Sequence, residues 1–245
     1  MDMNGRIWEK NGIRLEIPFS VPGVSTVMLL HHDRQYSLID CGDGAARYLH
    51  SLFGREKSGY DSVSDIMLTH EHLDHAGGIP SLLMLFEIAG RSAPLTIATP
   101  CGESGTAYKL ASLIRGRLHF DISFINLLEN GDSKYRSGDC EVFAFRTRHR
   151  DSSPSNRCGD TVPSCGYSLI IKGMKVVFSG DTGPTETLDR ECSGADVAVI
   201  ESTWESPVDC EGLHHTVSEA IKTGSLAKDM ILMHPLRDGS GRKLA

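Results

Sequence analysis

The sequence predicts an α/β protein, because short apolar segments typical of strands alternate with segments typical of helices. Residues 63–68 form an apolar strand, which is followed by a glycine pair and an apolar helical run at 79–89. Later in the chain, Thr216 with Glu219 three positions on is a capping box that starts a helix at Thr216. Strand-to-helix loops of this kind commonly present functional side chains from a rigid edge.

Length and composition indicate an ordinary globular chain. The 245 residues are 40% hydrophobic and 23% charged, so we expect one domain spanning residues 1–245. The first ten residues contain no apolar segment typical of a signal peptide, and the apolar run at 79–86 is too short to span a bilayer. We therefore expect a cytoplasmic protein that does not associate with membranes.

The cysteines and the net charge limit the kind of protein that this chain can be. Seven cysteines without a Cys-x-x-Cys pair indicate reduced thiols rather than a disulfide framework or a zinc knuckle. The formal net charge of −7 counts against a generic nucleic-acid binder, which usually has a basic surface. Bound divalent cations would reverse that sign locally, so an anionic substrate is not excluded.

The strand at 63–68 leads into a loop that contains three histidines and an aspartate within six positions. His70 and His72 are two residues apart on a chain leaving a strand, so they can point the same way and chelate one ion. Asp74 and His75 are adjacent and diverge, which suits a second ion. Neutral imidazole and carboxylate are typical zinc ligands, so this loop predicts a metal site.

Three further strands each end in a residue of the same chemical type, namely His149, Asp181 and His234. Asp181 could instead be the N-terminal cap of the helix predicted to start at Gly183. By contrast, His31 and His32 lie in a polar stretch between two predicted strands. We expect these two histidines to be exposed turn residues.

The motif His-x-His-x-Asp-His at 70–75 resembles the signature of the metallo-β-lactamase superfamily. The wider pattern resembles one branch of it, the RNase Z enzymes that process transfer-RNA 3′ ends. The segments that carry this second resemblance are 40–44 (DCGDG), His149, 166–167 (GY), 179–182 (SGDT), 201–203 (EST), 214–216 (HHT) and His234. The resemblance implies a four-layer αβ/βα sandwich, in which two mixed β-sheets are flanked by helices.

The resemblance also implies two divalent metal ions. The implied ligands are His70, His72 and His149 for one ion, Asp74, His75 and His234 for the other, and Asp181 as the bridge. Zinc is the first expectation, and manganese or iron remain open because cellular availability often decides among them. Asp40 would orient a ligand histidine.

The implied reaction is phosphodiester hydrolysis. A metal-bridging hydroxide would attack phosphorus, and Asp74 would orient or deprotonate it. Glu201 would orient His214, which would act as the general acid for the departing oxygen. The family is expected to pair into homodimers.

One feature departs from the family pattern. RNase Z enzymes insert an arm that grips transfer RNA between the Gly-Tyr motif and the bridging aspartate, whereas Tyr167 and Asp181 are too close in sequence here for such an arm. The substrate could therefore be RNA or a smaller phosphodiester such as a cyclic nucleotide. Alternatives are a hydrolase of a lactone, β-lactam or thioester and, less favoured, a metal-binding module without turnover. Residues 151–164 form a polar loop beside His149, either a lid or a surface excursion.

Overall fold

The computed structural model describes residues 6–129, 133–151, 158–205 and 214–235. The chain divides into two compact units, residues 1–130 and 131–245. In the described residues, no helix combines the length and apolar character needed to cross a bilayer. The prediction of a single domain stays a prediction.

The N-terminal unit is built on one seven-stranded mixed sheet, whose strands follow one another in chain order. These strands are β1 (Arg6–Lys10), β2 (Ile13–Val21), β3 (Ser25–His32), β4 (Gln35–Cys41), β5 (Val63–Met67), β6 (Leu95–Thr99) and β7 (Ile122–Asn126). The first four strands pair antiparallel, and β4 to β7 pair parallel. The carboxyl ends of β4, β5 and β6 therefore share one edge of this sheet.

The described part of the N-terminal unit contains five α-helices. They are α1 (Ala45–Phe53), α2 (Lys57–Asp61), α3 (Leu73–Ala76), α4 (Ile79–Ile88) and α5 (Thr106–Ser112). Helices α1, α4 and α5 bury Leu49, Leu83 and Ala111 against strand residues such as Ile66 and Ile97. This apolar core holds the sheet edge in place and thereby positions the loop between β5 and α3.

The C-terminal unit contains a six-stranded mixed sheet and a two-stranded ribbon. The strands are β8 (Ser133–Ser137), β9 (Cys140–Arg146), β10 (His149–Arg150), β11 (Thr161–Val162), β12 (Cys165–Ile171), β13 (Met174–Phe178), β14 (Val197–Glu201) and β15 (Asp229–Met233). The larger sheet has the order β15-β14-β13-β12-β9-β8, and β10 pairs with β11. Its β13, β14 and β15 are parallel, so their carboxyl ends also share an edge.

The described part of the C-terminal unit also contains helices α6 (Glu186–Cys192) and α7 (Val217–Gly224). Leu188 and Ala220 pack with Phe145 and Val177 of the sheet. Thr216 caps α7 in a full capping box with Glu219, as predicted. Two mixed sheets with helices packed on them confirm that part of the predicted fold class.

Two expectations were wrong. His31 and His32 end strand β3 instead of forming an exposed turn, and His32 is buried while the ring of His31 stacks on Tyr36 at 4.3 Å. The hairpin turn begins only after them, because the antiparallel register pairs His32 with Gln35.

The expectation of reduced thiols fails at Cys158, which is disulfide-bonded. Free cysteines in the described residues are Cys41, Cys101, Cys140, Cys165 and Cys192.

Candidate metal centre

The histidine-rich loop leaves the carboxyl end of β5 and enters α3, and its first histidine is fully buried. Nε2 of His70 lies 3.0 Å from Nδ1 of His72. Two nitrogens at about 2.0–2.1 Å from a tetrahedral zinc ion are separated by about 3.3 Å. The distance between the two nitrogens is therefore close to the distance that a shared ion requires. Two imidazole donors at this separation fit a divalent metal.

Asp74 and His75 approach each other on the first turn of α3. Oδ2 of Asp74 lies 3.7 Å from Nε2 of His75, a separation compatible with two ligands of one ion. The same oxygen accepts a 2.7 Å hydrogen bond from the backbone N–H of Gly23 in the β2–β3 turn. That hydrogen bond orients the Asp74 carboxylate from a distant part of the chain.

Asp40, near the end of β4, forms hydrogen bonds with residues of this loop and of α3. Its carboxylate accepts hydrogen bonds from the backbone N–H and the hydroxyl of Thr69, and Nδ1 of His75 lies 2.9 Å from Oδ2. Burial raises the pKa of Asp40 above its usual value, although His75 and Thr69 oppose the shift. Asp40 also has φ 61°, a left-handed conformation that costs energy in a non-glycine residue.

Glu71 stands between the first two histidines, and sequence reasoning assigned it no role. Its carboxylate accepts hydrogen bonds from the hydroxyl of Thr99 and from the backbone N–H groups of Thr106 and Ala107. A Cβ at Gly105 would overlap the carboxylate of Glu71, so a larger residue there would displace this side chain from its hydrogen bonds. Glu71 thus ties the histidine loop to β6 and to the start of α5.

In the C-terminal unit, three sequence-predicted residues converge. Ligand atoms of His149, Asp181 and His214 all lie within 4.8 Å of one another. Oδ2 of Asp181 is 3.6 Å from Nδ1 of His234 and 3.8 Å from Nδ1 of His214. His149, Asp181 and His234 are buried, and Thr185 caps the following helix in place of Asp181. Asp181 is thus left available as a ligand.

Glu201 ends β14 fully buried, directly beside this cluster. Nδ1 of His214 donates a 3.1 Å hydrogen bond to Oε1, and the backbone N–H of His215 donates one of 2.8 Å. The backbone N–H and hydroxyl of Thr203 both donate to Oε2. Burial alone would raise the pKa of Glu201, but the charge and hydrogen bond of His214 outweigh it and hold the pKa below its usual value. The ionised carboxylate accepts from Nδ1 and thereby fixes the orientation of the His214 ring.

Every predicted site residue therefore lies in one of two clusters, one in each unit. The N-terminal cluster contains His70, His72, Asp74 and His75. The C-terminal cluster contains His149, Asp181, Glu201, His214 and His234. Their assignment to particular metal ions stays a prediction. Both clusters carry the imidazole and carboxylate donors that divalent transition metals prefer.

A sequence profile of the β-lactamase superfamily domain matches residues 36–234, which include both clusters. The chain belongs to this superfamily. Ribonuclease Z of Thermococcus kodakarensis is 25% identical over 263 residues, a match that covers 87% of this chain and 77% of that protein. Ribonuclease Z of Shouchella clausii is 28% identical over 207 residues, and this match covers 69% of the chain but only 65% of the relative.

Solved structures agree on the fold. Human tRNase Z, short form, has a TM-score of 0.68 at 20% identity, with 94% of this chain and 95% of that chain covered. The metallo-β-lactamase fold protein YhfI of Bacillus subtilis also has a TM-score of 0.68, at 17% identity, with 91% and 86% covered. The chain therefore has the metallo-β-lactamase fold.

Proposed function

We propose that this protein is a metal-dependent hydrolase that cleaves phosphodiester bonds, similar to Ribonuclease Z. The observation that carries the proposal is the pair of largely buried histidine and carboxylate clusters, in a chain whose relatives include several proteins named Ribonuclease Z. The proposed ligands are His70, His72 and His149 for one ion, Asp74, His75 and His234 for the other, and Asp181 for both. When bound, two such ions would supply an activated water and neutralise charge on the phosphoryl oxygens.

The chain's own residues would do the remaining work. Asp74, held by the N–H of Gly23, would orient the nucleophile on one side of the phosphorus. His214 has its Nδ1 engaged by Glu201, which leaves Nε2 to give a proton to the departing oxygen. The buried Glu201 carboxylate favours the protonated form of His214 and fixes its orientation.

A short turn supports the substrate class that we propose. Strands β12 and β13 are joined through Lys172 and Gly173, because Ile171 pairs with Met174. This is the segment in which the RNase Z family carries its transfer-RNA-gripping arm. An RNA 3′ end or a smaller phosphodiester such as a cyclic nucleotide therefore fits better than a substrate that needs the arm.

The same proposal includes zinc as the native metal, with manganese or iron as alternatives, since the donors accept all three. It also includes a cytoplasmic location and a homodimer. Metal analysis of the purified protein and its elution volume in size-exclusion chromatography test the metal and the dimer.

The activity test compares substrates on the purified protein supplied with zinc or manganese. We expect hydrolysis of bis(p-nitrophenyl) phosphate, and cleavage of either a short RNA with a 3′ extension or a cyclic nucleotide. Asp181→Asn and His149→Ala should abolish it, whereas Lys222→Ala, an exposed change on α7, should not. Turnover of nitrocefin, a lactone or a thioester alone would replace the phosphodiesterase proposal. Tight metal binding without any turnover would indicate a binding module.

A further inference from the structure

A second concave site lies on the sheet of the C-terminal unit, on the face that α6 covers in part. The cavity has a volume of about 650 Å³. The strand register places its lining in two rows. One row contains Lys134, Phe143 and Ser168, and the other contains Arg136, Glu141, Ile170 and Lys175.

The packing of α6 explains why this cavity exists. Val177 pairs with Ser168 and packs against Leu188 of α6, so the helix covers the β13 side of this face. Arg190 and Glu191, near the end of α6, form a wall of the cavity. The part of the face built by β8, β9 and β12 lines the floor.

The cavity is basic although the whole chain is acidic. Its described lining includes the cations Lys134, Arg136, Lys175 and Arg190 and the carboxylates Glu141 and Glu191, which leaves two positive charges in excess. Arg136 pairs with Glu141 at 3.0 Å, and Glu191 is shared by Lys175 at 3.0 Å and Arg190 at 3.6 Å. A local surplus of cations in a chain of net charge −7 favours an anionic ligand.

The floor of the cavity indicates a second chemical group that a ligand would need. Nζ of Lys134 lies over the ring of Phe143, 5.3 Å from its centroid, in a cation–π contact. Lys134 is exposed, so a base that stacks on this ring would take the place of the ammonium. Ile170 extends the apolar surface, and the buried Ser168 supplies a hydroxyl. A ligand that satisfies all of these groups carries a phosphate together with a flat apolar ring.

We propose that this cavity binds a nucleotide, with its phosphate between the cations of β8 and α6 and its base against Phe143. The volume is within the range of about 300–1,000 Å³ typical of small-molecule sites. Base stacking on an aromatic ring beside basic side chains is a common mode of nucleotide binding. The nucleotide is either free or one unit of an RNA strand, since both present the same phosphate and base.

This site is separate from the metal ligands of the same unit, and the proposal goes beyond the hydrolase activity. The cavity is lined by Glu141 and Lys175, near the amino-terminal ends of β9 and β13, whereas His149 and Asp181 follow the carboxyl-terminal ends of those strands. A nucleotide bound here therefore does not depend on the metal centre for its contacts.

The test measures the binding of a fluorescent AMP analogue and of a labelled single-stranded RNA by anisotropy, with the full metal-loaded chain. We expect the double variant Lys134→Glu, Arg190→Glu to raise the Kd about tenfold or more, because charge-assisted contacts become repulsive. The matched control Lys222→Glu carries one such reversal on exposed α7 of the same unit, and should bind as the parent does. His149→Ala should also retain binding, which separates this site from the metal centre.

Comparison of the two probes shows whether the ligand is a free nucleotide or part of an RNA strand. If the double variant weakens the binding of AMP, the ligand is a free nucleotide. If it weakens the binding of RNA and leaves that of AMP unchanged, the ligand is one unit of an RNA strand. The proposal is overturned if the double variant binds both probes as tightly as Lys222→Glu does, or if the parent binds neither. Lys134 and Arg190 are exposed, so the variants should fold, and matched melting temperatures check this. Hydrolysis of bis(p-nitrophenyl) phosphate, assayed in parallel, reports separately on the proposed activity.

Discussion

The carboxylate of Asp40 lies 2.9 Å from Nδ1 of His75, and both side chains are fully buried. The contact joins the end of β4 to α3 across 35 residues of sequence. A carboxylate at Nδ1 selects the tautomer that carries its proton there, so the lone pair of His75 lies on Nε2, the nitrogen that would bind a metal ion. We therefore expect Asp40 to act on the proposed metal centre through His75.

Replacing Asp40 by alanine should weaken metal binding by about 10- to 100-fold, the usual loss when a residue that orients a ligand histidine is removed. Competition with a chromogenic chelator measures the affinity. Asp43→Ala, an exposed change in the same turn, is the matched control and should retain parental affinity. Equal affinities for the two variants would remove Asp40 from this role.

Glu71→Ala should also lower metal affinity, because the loop that carries His70 and His72 loses its attachment to Thr99 and to the start of α5. We expect a loss of about tenfold. Cobalt substitution provides the spectroscopic readout, since altered ligand geometry changes the visible absorption bands. The exposed Glu103 is nearby, and Glu103→Ala should leave both affinity and spectrum unchanged.

Glu201→Gln should reduce kcat by about 100-fold or more with a smaller change in KM, because His214 loses the carboxylate that favours its protonated form. The alkaline limb of the kcat profile should move to lower pH for the same reason. Steady-state kinetics from pH 5 to 10 test both effects. A variant that loses activity without any change in the profile would indicate a purely structural role.

Asp61 should make stability depend on pH in the acid range. Burial alone would raise the pKa of its carboxyl, but hydrogen bonds from Lys57 and from the backbone N–H groups of Ser92 and Ala93 outweigh it and lower the pKa from 3.8 to about 2. The stabilisation is therefore present above pH 3.8 and lost as the pH falls toward 2.

Asp61→Asn should consequently lower the free energy of unfolding at pH 7 by about 1 kcal/mol, or about 2–4 °C in Tm. The difference from the parent should shrink between pH 4 and pH 2, as thermal melts across this range would show. Glu56→Gln, an exposed change at the N-cap of α2, is the control. A difference that stays constant with pH would contradict the role assigned to the ionised carboxylate.

Local sequence patterns predicted much of the secondary structure. Helix α4 spans Ile79–Ile88, one residue short of the predicted helical run at 79–89, and the capping box at Thr216 is present. Strand β1 was not predicted, because it is a mostly exposed edge strand, Arg6–Lys10, without the apolar alternation that marks a buried face. The burial of His32 was missed for a related reason, since a polar residue becomes a core residue only through its partners.

The sequence by itself determined which side chains are candidate metal ligands, because imidazole and carboxylate groups at strand ends can be recognised from residue type and position alone. It also determined the superfamily. Only the tertiary structure decided the hydrogen bonds themselves: which histidine Asp40 contacts, namely His75, and that Glu71, which had no predicted role, anchors the histidine loop to the start of α5. The reason is physical. A hydrogen bond between residues 35 apart in sequence, as in both cases, depends on how strands and helices pack, and local periodicity carries no information about that packing.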